Sequence, residues 1–357
     1  MPAPFIARPA LLDSAQPDPV PATGRPVGWG VIATGSIAAK VTADLALLPD
    51  ATLAAVSSRH ADRAQEFAER FGFATSYGDG PEGSGRDRLL ADPAVEVVYV
   101  ATPHAQHADD VRAALLAGRH VLCEKPFTLN AGQAQELVDL ARERGLFLME
   151  AVWTRFLPAM QRAWEIATSG EIGEVRWVAA EVSFVAPDDR TARIWAPADG
   201  GGALLDLAVY PTLWAWGSLG LPESVTASGT LNDEGVDTQD ALVLRWPSGA
   251  QAQLTTSIVA QSPHSALIAG DGGWIRTSGA DSVYRPTRLE VQVGDAELRV
   301  EEFPLAGSGY PGELREVTRC VQEGLTESPV APLEDTLAMM RLLDEARAQL
   351  GVGYPGD

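Results

Sequence analysis

The first half of the chain alternates short apolar runs with stretches of helical spacing. Residues 27–32, Val-Gly-Trp-Gly-Val-Ile, are apolar throughout and predict a buried strand. Residues 37–48 carry apolar positions at helical spacing and stop before Pro49. A second strand is expected at 52–56 and a helix at 61–71, closed by Gly72. Residues 77–86 hold four glycines and a proline and read as a loop. Strands at 95–101, 120–123 and 146–149 then alternate with helices at 106–117 and 131–144. Such alternation predicts a parallel sheet with helices on both faces, whose ligands bind beyond the carboxyl ends of the strands.

Past residue 150 the pattern changes. A long strand at 175–185 and a helix at 203–219 come first. Strand-like runs follow at 225–230, 239–246, 250–259, 265–269, 274–277, 288–293 and 298–303. Several alternate with period two and are separated by turn residues such as Pro247-Ser248-Gly249, the signature of an antiparallel meander. Helices at 312–322 and 333–350 close the chain. The expected fold is an α/β Rossmann domain over 26–150, followed by an α+β domain over 151–357 with a large, mostly antiparallel open sheet. The C-terminal helix is a candidate to pack back on the first domain. Residues 1–25, rich in Pro and Ala, read as a flexible arm.

Composition narrows the function. With 46% hydrophobic residues in 357 the chain has ample material for a core, and its net charge of −21 disfavours nucleic acid and anionic membranes as partners. No apolar run approaches the ~20 residues needed to span a bilayer, and the N-terminus lacks the pattern of a secretory signal, so the expected location is cytoplasmic. Cys123 and Cys320 make no disulfide framework, and the five histidines make no metal-ligand set, so no metal is expected.

Candidate chemistry sits at the strand ends. The first strand runs into Ala33-Thr34-Gly35-Ser36-Ile37-Ala38, a G-x-G-x-x-G/A turn with alanine in first place. Gly35 would let the backbone approach a pyrophosphate seated on the helix N-terminus, while the methyl of Ala33 requires a negative φ there. The second strand ends Val56-Ser57-Ser58-Arg59, with Arg63 one turn on and no acid at the tip. A hydroxyl and guanidinium groups suit the 2′-phosphate of NADP better than the free hydroxyl of NAD. Thr102 and Pro103 end the third strand on the nicotinamide side, and His104 and His107 are either cofactor contacts or turn and cap residues. Glu124-Lys125-Pro126 ends the next strand. Lys125 and Lys40 are the only lysines in the chain, and a lysine, unlike arginine, has a pKa that its surroundings can move.

Residues 30–38, Ser58-Arg59, Glu124-Lys125-Pro126 and residues 200–211 (Gly-Gly-Gly-Ala-Leu-Leu-Asp-Leu-Ala-Val-Tyr-Pro) together resemble the Gfo/Idh/MocA oxidoreductase family over about residues 27–350. Residues 149–158 resemble its branch of dimeric dihydrodiol dehydrogenases and NADP-dependent D-xylose dehydrogenases. The resemblance implies that Lys125 and Tyr210 act together, with a tyrosine where other members carry a histidine. Asp206, four residues earlier on the expected helix, would share a face with Tyr210 and bind a substrate hydroxyl or orient the pair. Trp153, Arg155 and Phe156 would offer an aromatic and guanidinium platform for a polyhydroxylated small molecule, joined by Arg193 and Trp195. The implied activity is hydride transfer between NADP, or NAD, and a sugar, polyol or vicinal diol, in a homodimer or homotetramer. A glycoside hydrolase that keeps its nicotinamide bound, or a dinucleotide sensor without catalysis, are the competing readings.

Overall fold

The computed structural model describes residues 21–279 and 282–354. They divide into two compact units, one taking the chain up to Trp153 together with Ala306–Leu337, the other Thr154–Leu305 and the chain from Ala338 onward.

The first unit is built on a six-stranded parallel sheet in the order β3-β2-β1-β4-β5-β6. Its strands are β1 (Val27–Ile32), β2 (Ala51–Ser58), β3 (Thr75–Gly78), β4 (Val97–Val100), β5 (His120–Glu124) and β6 (Leu148–Ala151). Its helices are α1 (Ser36–Leu45), α2 (Ala61–Phe71), α3 (Gly85–Ala91), α4 (His107–Leu116) and α5 (Ala131–Arg144). All residues of β1, β4 and β6 are buried, as continuous apolar runs in a sheet covered on both faces must be. The glycine-rich stretch at 77–86 holds more than a loop: β3 ends inside it and α3 begins inside it. β3 is an edge strand with no fully buried residue, so it leaves no apolar pattern. Ser84 caps α3 by accepting from Asp87 N at 3.1 Å.

Residues 306–337 join this unit through polar anchors. The Asp44 carboxylate on α1 accepts from the backbone N–H of Ser308 at 2.8 Å and of Tyr310 at 3.1 Å. On α9 (Pro311–Glu323), Arg315 donates to Asp50 at 2.8 Å, and both side chains are buried. Burial would raise the Asp50 pKa, but the hydrogen bonds from Arg315, Gln322 and Thr23 outweigh it and hold the carboxyl below its ordinary range. The same carboxylate accepts from Thr23 N at 2.9 Å, so the end of the predicted arm is tied down from Thr23 on. Residues 1–20 of that arm lie outside the described residues.

The second unit opens with α6 (Pro158–Ser169), a helix absent from the sequence reading. Pro158 stands at its first position, where a missing N–H costs nothing. The unit's eight-stranded sheet runs β14-β13-β12-β11-β7-β10-β9-β8. The strands are β7 (Val175–Ser183), β8 (Ser224–Leu231), β9 (Asp237–Arg245), β10 (Gln251–Ser257), β11 (Ala266–Gly270), β12 (Gly273–Thr277), β13 (Arg288–Val293) and β14 (Arg299–Glu302). β7 and β10 pair in parallel; every other neighbouring pair is antiparallel. The expected helix at 203–219 is two segments, α7 (Ala203–Leu207) and α8 (Val209–Leu219), separated by Ala208. The last helix, α10 (Leu333–Leu350), starts in the first unit and ends in the second. Among the described residues, no helix is long and apolar enough to cross a membrane.

Candidate active site

A cavity of about 440 Å³ opens at the carboxyl ends of β1, β2 and β4 in the first unit. Ala33, Thr34, Gly35, Ser58, Arg59, Arg63, Thr102 and Pro103, all singled out from the sequence, line it together. Ser36 and Ile37 stand on the first turn of α1 without lining it. The N-cap residue of α1 is Gly35, and no side chain caps that helix. A β-carbon added at Gly35 would meet nothing within 4 Å, so the glycine is not required by the packing of the protein itself.

Ala33 departs from expectation. Its φ is +86°, the left-handed region, where a negative value was required of a residue with a methyl group. The turn geometry wins over the side chain, at a cost of about 1–2 kcal/mol. Ala33 N donates to Ser57 O at 3.0 Å, which holds the turn to the end of β2. Arg86 and Asp110 also line the cavity, although nothing in their sequence surroundings marked them. Arg86 donates to Asp110 at 3.0 Å, and Asp110 accepts from the Thr102 hydroxyl at 2.8 Å. Burial raises the Asp110 pKa, against the lowering effect of these two donors.

The histidines lie elsewhere. His104 begins a short 3₁₀ turn and is buried. His107 is fully buried, with Nδ1 at 2.8 Å from Pro126 O and Nε2 at 2.8 Å from Thr102 O. It therefore clamps two backbone turns together, and neither histidine lines the cavity.

Lys125 is half-buried at the end of β5, and its peptide bond to Pro126 is cis. Both oxygens of the preceding Glu124 are engaged: the Tyr99 hydroxyl donates to one at 2.5 Å and Lys125 N to the other at 3.2 Å. Glu150 holds the far side of the turn, accepting from Phe127 N at 3.0 Å and from the Thr336 hydroxyl at 3.0 Å. The sequence did carry a signal for Glu150, since it is a lone acid inside the apolar run 146–151. Glu313 is fully buried nearby in charge terms: burial first, then the carboxylates of Glu124 and Asp44, push its pKa well up.

In the second unit, Asp206 is 8% exposed on α7, and Arg193 donates to it at 3.3 Å. Trp195 lies in the same 3₁₀ turn as Arg193; its indole N–H donates to Pro187 O at 2.8 Å, and Arg190 lies over its ring. Tyr210, on the first turn of α8, has its ring 5.5 Å from that of Tyr284. Tyr284 is held in turn by Thr154, whose hydroxyl donates to its backbone oxygen at 2.6 Å. Arg155 and Phe156, expected to contribute to the platform, are both buried. Trp153, in the first unit, is buried too and lies 4.7 Å from the Tyr310 ring.

Two family models match the chain. Residues 27–152 match the oxidoreductase family with an NAD-binding Rossmann fold, and residues 160–276 match the GFO/IDH/MocA C-terminal domain. The chain is 36% identical over 341 residues to trans-1,2-dihydrobenzene-1,2-diol dehydrogenase of Mus musculus, covering 92% of this chain and 98% of that protein. The human enzyme of that name is 34% identical over 338 residues, with the same coverage. Among solved structures, a 3-ketoreductase from Actinomadura kijaniata in complex with NADP and TDP-benzene superposes with a TM-score of 0.80 at 30% identity, covering 91% of this chain and 98% of that one. An aldose-aldose oxidoreductase from Caulobacter crescentus, complexed with glycerol, superposes with a TM-score of 0.81 at 25% identity and the same coverage.

Proposed function

The chain belongs to the Gfo/Idh/MocA oxidoreductase family, and from that premise we propose that it transfers hydride between NADP and a hydroxyl or carbonyl carbon of a sugar, polyol or vicinal diol. The observation that carries the cofactor half is the convergence of Thr34, Gly35, Ser58, Arg59 and Arg63 on one cavity. A dinucleotide fits this lining. The backbone at Gly35 is open to close approach, and the uncapped first turn of α1 suits a pyrophosphate. Two guanidinium groups and a hydroxyl at the end of β2, a tip that itself carries no acid although Asp79 past β3 also lines the cavity, favour a ribose 2′-phosphate over a bare hydroxyl. NAD remains the competing cofactor. The neighbour from Actinomadura kijaniata, solved with NADP, supports the same choice.

Bound nicotinamide supplies or accepts the hydride. The chain's own residues handle the proton. In this reading Tyr210 takes the proton of the substrate hydroxyl through its phenolic oxygen, and returns it in the reductive direction. A tyrosine with a pKa of ~10 is a weak base near neutrality. The ammonium of Lys125 acts on the same hydroxyl, stabilising the developing oxyanion and favouring the tyrosinate. Asp206, held by Arg193, accepts a hydrogen bond from a further substrate hydroxyl and so fixes which carbon reacts. The names of the relatives support sugar-class and diol-class substrates. A homodimer or homotetramer joined through the outer face of the large sheet is consistent with the exposure of Trp177 on β7 and Val300 on β14.

A spectrophotometric screen of sugars, polyols and diols with NADP and NAD side by side tests the reading. Reduction of NADP with a polyhydroxylated substrate is expected. Lys125→Met and Tyr210→Phe should each lower turnover by roughly 10²–10⁴-fold while leaving NADP affinity within about threefold. Near-normal turnover in both variants sinks the assignment of roles.

A further inference from the structure

β9 begins with two acids in the interior of the second unit. Asp237 is fully buried and Asp240 is 3% exposed. In a regular strand, residues three apart point to opposite faces. Here the pairing with β8 slips: Thr230 faces Gln239, but the next residue, Leu231, faces Asp237. Thr238 is the extra residue of a bulge, and a bulge re-aims the side chain beside it. Asp237 is thereby turned to the side of Asp240, close enough that the ionisation of each carboxyl group bears on the other.

Two buried carboxylates cannot share a hydrogen bond without a proton between them. Burial raises both carboxyls, and the charge of Asp237 adds to it at Asp240, which is pushed up to about 8, so the pair holds one proton between them at neutral pH. The Oδ1 atoms of both residues have no hydrogen-bond partner among the described residues, and a proton held by the pair would serve them. Asp240 Oδ2 accepts from the Thr256 hydroxyl at 3.2 Å.

We propose that Asp237 and Asp240 are positioning residues for the reaction: together they hold the turn at residues 200–202 and the first turn of α7, and so fix Asp206 relative to Arg193. The proposal rests on the catalytic reading of Asp206 and Tyr210. Asp237 Oδ2 accepts from Leu204 N at 2.6 Å, and the neighbouring N–H of Ala203 also lowers its pKa. These are the first free donors of α7, and its N-cap, Gly202, has no side chain to serve them. Gly202 has φ +123°, and a β-carbon there would fall 2.1 Å from Asp237 Oδ1. The carboxylate thus fills the space the glycine leaves. On its other side the turn is tied to the segment bearing Arg193, through Gly201 N to Ala196 O at 3.0 Å and Gly202 N to Ile194 O at 3.1 Å. The acid pair, the glycine turn, Arg193 and Asp206 form one connected set.

The test measures kcat, substrate KM, NADP affinity by fluorescence titration and melting temperature for a small series. Asp237→Ala should lower kcat by ~10²-fold, the scale of a catalytic group displaced by about 1 Å, with NADP affinity unchanged. Asp237→Asn keeps an acceptor for Leu204 N, and Asp240→Asn keeps a donor for Asp237. Both should retain kcat within about threefold of the parent. Parent-like kcat in Asp237→Ala, or asparagine variants as damaged as the alanine one, overturns the proposal. If Asp237→Ala does not fold, Asp240→Leu removes the shared proton while keeping a side chain branched at the γ-carbon. It should lower kcat by about tenfold or more, and an unchanged kcat overturns the proposal equally. Asp206→Asn and Tyr210→Phe are measured in parallel. If they keep full turnover, the catalytic reading fails and takes the proposal with it. If they lose turnover while Asp237→Ala does not, positioning alone fails.

Discussion

Two glycine-bearing turns lead into helices in this molecule, and they solve the same problem in opposite ways. At residues 33–35 the turn ends in a helix, α1, that no side chain caps, and Gly35 borders a cavity of about 440 Å³. At residues 200–202 the turn ends in α7, and a buried carboxylate from β9 already serves the first donors of the helix. An added β-carbon meets nothing at Gly35 and meets Asp237 at Gly202. The first glycine leaves open space beside the cavity. The second makes room for the chain itself. A glycine turn before a helix is therefore not by itself an anion site; what the missing side chain leaves space for decides it.

The largest effect should come from exchanging the glycines. Gly202→Ala forces a side chain into a backbone region reserved for glycine and onto Asp237, and should cost about 3 kcal/mol or more in chemical denaturation. Gly35→Ala should leave stability within ~0.5 kcal/mol, yet weaken NADP binding by roughly tenfold, ~1.4 kcal/mol. Equal stability losses in both variants would erase the distinction.

A smaller effect concerns pH, and separates the acids of the two units. Asp240, raised to about 8, binds its proton more tightly in the folded state than in the unfolded one. Its stabilising contribution is complete below the unfolded pKa of ~3.9 and is lost progressively as the pH climbs to about 8. Asp50, held low chiefly by Arg315 against the effect of burial, behaves oppositely: its contribution is present above ~3.9 and is lost on acidification. Comparing denaturation of the parent and Asp240→Asn between pH 5 and pH 8 isolates the first term. The parent should lose stability over that range relative to the variant, and parallel curves would refute it.

The smallest effect is at Ala33. Glycine there removes left-handed strain, and Ala33→Gly should stabilise the protein by about 1 kcal/mol, less a few tenths for the freer unfolded chain. A destabilised variant would show that the turn is not strained.

Much of the fold was legible because each element of the first unit carries its own pattern. Continuous apolar runs gave β1, β4 and β5, and Gly72 marked the end of α2 where its left-handed cap stands. β3 escaped because an edge strand with half-exposed residues has no period to read. α6 was not read from the sequence, although Pro158 stands at its first position, where proline is well tolerated. For the site, motif spacing brought eight residues to one cavity, but Arg86 and Asp110, from the glycine-rich stretch and α4, reach it only through the packing of α3 and α4. His107 faced inward to two carbonyls where spacing alone left its direction open.

The sequence by itself determined the alternating strands and helices of the first unit, the strand-rich second unit, and the chemistry set at the strand ends. These depend on local periodicity and on residue types. Only the tertiary structure decided the positive φ of Ala33, the return of residues 306–337 to the first unit, and the meeting of Asp237 with Asp240. The first is set by how a turn must join a strand to a helix. The second follows from a buried ion pair between residues 265 positions apart. The third comes from a single extra residue in a strand, which alters no local pattern but reverses the direction of a carboxylate.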